Sequence, residues 1–118
     1  MESENSILSQ AIKTGLIDKN IESSINLQPK IITNNFQNNE KVLSVINDLL
    51  VDCEEFFFNV AFLTKSGVLS LINTLERIEK SGINGKVLIS KYQNFSDPNA
   101  LRILLKFSNI ELRVLILS

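Results

Sequence analysis

The chain has no histidine and no tryptophan, one cysteine, one tyrosine, two prolines and four glycines in 118 residues. The missing imidazole excludes Ser-His-Asp triads, Cys-His nucleophiles, histidine-ligated zinc and histidine general acids within this chain. A lone Cys53 forms no intrachain disulfide and assembles no thiolate metal site, and it reads as a structural thiol at a helix end. An excess of charge of one sign is lacking too. Twelve Lys and Arg stand against thirteen Asp and Glu, a net charge of −1, which argues against a free-standing polyelectrolyte binder. Met1-Glu2-Ser3-Glu4-Asn5 has neither a basic n-region nor an apolar continuation, so no signal peptide is read. No apolar run approaches the about 20 residues that span a bilayer. These absences place the chain in the cytoplasm, away from membranes, with no cofactor and no metal implied.

What is present is the composition of a globular chain, 44% hydrophobic and 21% charged, of a size for one domain or part of one. Residues 1–28 read as a helical and irregular segment: Ile7, Leu8, Ala11 and Ile12 fall at helical spacing, which predicts a short amphipathic helix from Glu4 to Lys13. Pro29 marks a boundary, and Ile31-Ile32-Thr33 predicts a short strand ended by Asn34-Asn35. From there the pattern sharpens. Asn39 is the expected N-cap of a helix over 40–52, whose stripe is Val42, Val45, Ile46, Leu49 and Leu50.

Phe56 to Leu63 is a nearly continuous apolar run broken only by Asn59, the signature of a strand covered on both faces. Val68, Leu71, Ile72, Leu75 and Ile78 then mark a helix ending at Lys80-Ser81-Gly82, with Gly82 taking the left-handed cap. Lys86 to Ser90 predicts a second strand. Asp97-Pro98 is an N-cap followed by proline at the first helical position, and the helix runs to Ser108. Ile110 to Leu117 predicts a third strand. The order strand–helix–strand–helix–strand gives an α/β fold, with a three-layer parallel or mixed sheet and helices on both faces. Because the last predicted strand reaches the end of the chain, residues 29–118 are expected to be an incomplete domain from a longer protein.

The best local candidate for chemistry is Thr64-Lys65-Ser66-Gly67, between a strand's C-terminal end and a helix N-terminus, where backbone N–H groups and the helix dipole attract an anion such as phosphate. Lys91, after the second strand, is expected to join it from the same edge. Neither Gly-x4-Gly-Lys-Ser/Thr nor Gly-x-Gly-x-x-Gly is met, and helix capping accounts for the same hydroxyls. The loop Lys91-Tyr92-Gln93-Asn94-Phe95 offers a cation and two aromatics to a nucleic acid. Gly82-Ile83-Asn84-Gly85 reads as a tight connection rather than an RNA-backbone clamp. Glu54 and Glu55 enter a strand as neighbours and point to opposite faces, so they make no catalytic pair.

The segments Phe58 to Val68, Leu71 to Leu75, Gly82 to Ser90, Tyr92 to Arg102, Leu105-Lys106-Phe107 and Ile110 to Arg113 together resemble, over about residues 29–114, the N-terminal phospholipase D-like domain of bacterial DEAD/DEAH-box helicase or restriction-type proteins. The resemblance implies phosphodiester chemistry without a metal: the histidine of a His-x-Lys-x4-Asp motif attacks phosphorus, and a second copy, often from a dimer mate, supplies the acid. That motif and the helicase motor motifs are missing here, so no catalytic residue carries over. The resemblance therefore implies a catalytically incomplete half domain whose full-length parent is a nuclease, phosphodiesterase or helicase. Its implied partners are DNA, contacted through that parent, and a second copy of the chain. The alternative is a non-enzymatic α/β protein-interaction module.

Overall fold

The structure, a computed structural model, describes residues 4–16, 27–90 and 96–116. The chain divides into two compact units, Met1–Glu40 and Lys41–Ser118. No helix among the described residues is long and apolar enough to cross a membrane.

In the first unit, helix α1 spans Glu4–Leu16, so it carries through Gly15, beyond the Lys13 end read from the sequence. Glu4 in the first turn and Lys13 in the last complement the helix dipole. Ala11 is fully buried while Leu8 and Ile12 stay exposed. The strand expected at 31–33 does not form, and Ile31 is 81% exposed. Instead Asn35 and Glu40 exchange backbone hydrogen bonds of 2.8 Å each way and close a turn. The Asn35 carboxamide oxygen accepts from the backbone N–H of Gln37 at 3.0 Å. Asn39 sits at φ 53° in that turn and is not the helix N-cap. Asparagine tolerates the left-handed region and bonds its own backbone, so this asparagine-rich stretch makes a turn where a helix start was expected.

The second unit begins with α2, Val42–Asp52, whose N-cap position is held by Lys41 without a side-chain cap. Strand β1 is Glu55–Val60, α3 is Lys65–Lys80, β2 is Asn84–Ser90, α4 is Pro98–Leu105 and β3 is Ile110–Leu115. The three strands are parallel in the order β1-β2-β3. This is the expected α/β class, a parallel sheet flanked by helices. Apolar residues Ala61 to Leu63 are not strand: β1 stops at Val60, which pairs with Ile89 one residue before β2 ends.

Which face the helices take follows from topology. Two successive right-handed crossovers that step the same way across a sheet deliver both helices to one side. The burial agrees. Phe56, Val87, Ile89 and Ile110 share one core cluster with Leu50 of α2, Val68, Leu75 and Ile78 of α3, and Ala100 and Leu104 of α4. Ile78 and Ile89, each 1% exposed, are its deepest side chains. Each such burial contributes about 1.5–3 kcal/mol relative to exposure. Thr74 on α3 donates to the Asn47 side chain on α2 at 2.6 Å, fixing one helix against the other.

The second face of the same strands is open. It carries Phe57 and Asn59, Lys86 and Leu88, Glu111, Arg113 and Leu115, and none of these is buried. Phe57 is 64% exposed. The burial of β1 alternates residue by residue rather than being continuous, so the reading of a strand covered on both faces is corrected. The class itself, a parallel sheet flanked by helices, is the one expected from the sequence.

Two details fix the strand starts. Gly82, at φ 74°, ends α3 in a Schellman motif: its N–H donates to the Glu79 carbonyl, and the Ile83 N–H donates to the Ile78 carbonyl at 3.0 Å. Gly85 lies beside Phe56 in the register, and a Cβ there would run into the Phe56 ring.

Candidate functional site

In open parallel sheets, loops at the carboxyl ends of the strands carry function. Here that edge is built by the segments after β1 and β2. Thr64 is the N-cap of α3: extended backbone turns its hydroxyl inward, and its Oγ1 accepts from the Gly67 N–H at 3.1 Å. Gly67 makes this close cap possible, since a Cβ there would stand 3.0 Å from that same oxygen. Ser66 Oγ lies 3.4 Å from Thr64 Oγ1. Lys65, exposed, is the first residue of α3.

Asp97 caps α4 in the same manner, its Oδ1 accepting from the Asn99 N–H at 2.8 Å, with Pro98 at the first helical position. Arg102 donates to the Asn99 side chain at 3.0 Å, one turn further in.

The two helix starts are tied together. The Leu63 N–H donates to Ser96 Oγ at 3.1 Å, and the Asp97 N–H donates to the Leu63 carbonyl at 2.8 Å. One edge of the sheet therefore presents two neighbouring helix N-termini, each with a partial positive charge, together with the Lys65 ammonium. The Asp97 carboxylate offsets that field at α4. Beside them Ile89, Ser90, Ser96, Pro98, Leu101, Val114 and Ile116 line an apolar groove.

Of the predicted site residues, Thr64, Lys65, Ser66 and Gly67 are brought together at the start of α3. Lys91, like Tyr92 and Phe95, lies outside the described residues. Ser96 was not singled out from the sequence. No local pattern marks it, because its partner Leu63 is 33 residues away.

The remaining candidates settle into structural roles. Cys53 is the C-cap of α2, half-buried, and its thiol donates to the Leu50 carbonyl at 3.2 Å. Of Gly82 to Gly85, Gly82 and Ile83 belong to the tight connection from α3, and Asn84 and Gly85 already open β2. No group of three Asp, Glu, Cys or His is placed to hold a metal among the described residues. At the opposite sheet edge, Asn109 donates to the Ile83 carbonyl at 2.7 Å and accepts from the Gly85 N–H at 2.9 Å through its own carbonyl. Its side-chain oxygen is buried without a partner.

The exposed charges lie on the open face. Arg113 contacts Glu111 Oε1 through Nη2 at 2.7 Å and Nε at 2.8 Å. Hydrogen bonding and charge from Arg113 hold the Glu111 carboxyl below the usual carboxylate range, with a smaller push from Lys86. The Lys86 ammonium itself stands 5.7 Å from the centre of the Phe57 ring.

Compared with known proteins, the chain matches no protein-family model and no curated protein.

Proposed function

We propose that this chain is a phospholipase D-like half domain that works beside nucleic-acid phosphodiesters without cutting them itself, the reactive histidine coming from elsewhere in a longer parent or from another chain. The observation that carries this reading is the pair of tied helix N-termini with Lys65 at the carboxyl edge of a parallel sheet, where a phosphate diester is attracted. Thr64, Lys65, Ser66 and Gly67 are its phosphate contacts. With no histidine the chain lacks the nucleophile of the resembled reaction, so on this reading it does not cleave alone, and the reading carries with it a dimer and a cytoplasmic setting.

The test has two parts. The pure chain, without added metal, is expected to hydrolyse neither bis-p-nitrophenyl phosphate nor single-stranded DNA, and turnover above a blank preparation overturns the non-cleaving assignment. Single-stranded DNA is expected to bind no tighter than the about 10⁻⁴–10⁻⁶ M typical of non-specific contacts, and Lys65→Glu weakens it further. Binding that ignores Lys65→Glu removes the phosphate edge from the reading.

A second reading, a non-enzymatic interaction module, is favoured by one specific observation: the open sheet face with Phe57 64% exposed.

A further inference from the structure

We propose that Asn84 is a self-modification site, converted to aspartate and isoaspartate by attack of the Gly85 backbone nitrogen, and that Asn109 keeps this site closed in the folded chain. The inference is independent of the phosphodiester reading.

Of the fourteen asparagines, Asn84 alone is followed by glycine. Glycine has no Cβ to crowd its own nitrogen, so that nitrogen can reach the side-chain carbonyl of the residue before it. The steps balance without a cofactor or redox partner. The Gly85 N–H gives its proton to hydroxide, the nitrogen bonds to Asn84 Cγ, and the Cγ–Nδ2 bond breaks as ammonia leaves with a proton from water. The five-membered imide then takes up water at either carbonyl. It opens to aspartate or, with the backbone rerouted through the side chain, to isoaspartate. The net change is one water consumed and one ammonia released.

The fold withholds the attacking atom. The N–H that must be lost donates to the Asn109 carbonyl at 2.9 Å, and the Asn109 side chain donates to the Ile83 carbonyl at 2.7 Å. One residue thus grips the chain on either side of Asn84. Gly85 is buried against the Phe56 ring, whereas Asn84 is exposed to water. Asn84 also opens β2 in register with Glu55, and ring closure bends the backbone there out of its extended form. Reaction therefore waits for the amino end of β2 to open.

The change works in one direction. Aspartate at position 84 sets a second carboxylate opposite Glu55, and like charges directly opposite weaken a strand pair. Isoaspartate lengthens the backbone by a methylene ahead of Gly85, which moves the glycine from its place against the Phe56 ring.

Peptide mapping by mass spectrometry of the full chain at mildly alkaline pH tests the proposal, native and in urea, with hydrogen exchange at the Gly85 amide followed in parallel. In urea Asn84 is expected to convert before every other asparagine. In the native chain conversion is at least about tenfold slower, because only the opened fraction reacts. Asn109→Ala removes the grip on Ile83 and raises both Gly85 exchange and Asn84 conversion several-fold, in proportion. Thr74→Ala, which removes a hydrogen bond between α2 and α3, leaves both rates unchanged. The converted chain, returned to native buffer, exchanges its Gly85 amide faster than the unconverted chain. Another asparagine converting first in urea overturns the site, and equal rates in native and unfolded protein overturn its closure. Rates unmoved by Asn109→Ala, or moved as far by Thr74→Ala, overturn the role of Asn109. Unchanged Gly85 protection in the converted chain overturns the one-way effect. If circular dichroism shows Asn109→Ala unfolded, the unaltered chain in buffer and in urea still decides both the site and its closure.

Discussion

Leu88 and Ile89 are neighbours on β2 and live in different surroundings: Ile89 is 1% exposed beneath the helices, and Leu88 is 38% exposed on the other side of the sheet. The same strands therefore present a packed face and a bare one. The packed face holds the fold together through volume and shape. The bare face buries little, and its charged residues pair along the surface instead, Glu111 with Arg113 and Lys86 against the Phe57 ring. Hydrophobicity alone does not separate the two roles; the count of layers does.

That contrast can be broken most sharply by truncation. Ile89→Ala is expected to destabilise the chain by about 2–5 kcal/mol, while Leu88→Ala costs about 1 kcal/mol or less. Urea unfolding of dilute protein measures both, and equal losses would erase the distinction between the faces. Gly85→Ala comes next, at about 1–3 kcal/mol, because the new methyl meets the Phe56 ring. A double-mutant cycle sharpens this: in a Phe56→Ala background the penalty should largely disappear. Thr64→Ala and Asp97→Ala each remove a cap and are expected to cost about 1 kcal/mol. Thermal melts compare them, and an unchanged midpoint for either would mean that its hydroxyl or carboxylate serves the edge rather than the helix.

The smallest effect belongs to Glu111. Its carboxyl titrates below the usual range, so its contribution is present above the ordinary carboxylate pKa and fades as pH falls through the lowered value. The pair is exposed, so Glu111→Gln should leave the neutral-pH unfolding midpoint of the monomer nearly unchanged. NMR titration of the Glu111 side chain checks the direction: a midpoint at or above the ordinary value contradicts the pairing with Arg113.

Elements with strong punctuation were legible in the sequence. Thr64 and Asp97-Pro98 announced helix starts and Gly82 announced an end, because each satisfies backbone groups that a helix terminus leaves bare. Asn39 misled, since asparagine serves turns as readily as caps. The end of β1 was not legible because it is decided by β2: Ala61, Phe62 and Leu63 are apolar enough for a strand but lie past the last paired residue, Val60. The bare face was hidden for a related reason. Phe56-Phe57-Phe58 records that apolar surface exists, and nothing local records whether a second layer comes to cover it. At the site, the capping segment Thr64 to Gly67 was visible, whereas the tie through Ser96 joins distant segments and appears only once the chain is folded.

The glycine beneath Phe56 also guards against a particular folding error. Alternation of buried and exposed side chains forbids a strand from sliding by one residue, since every side chain would change face. It does not forbid a slide by two, which keeps each residue on its proper side. With β1 shifted two places along β2, Phe56 would fall beside Val87 or beside Ile83 in place of Gly85. Only the native alignment sets that ring over the one position on the strand with no side chain of its own. The pair works as a phase mark, selecting among alignments that hydropathy treats as equal. Gly85→Ala should therefore do more than lower stability: it removes the reason for one alignment to win, and misaligned β1–β2 pairings should appear among the species formed on refolding.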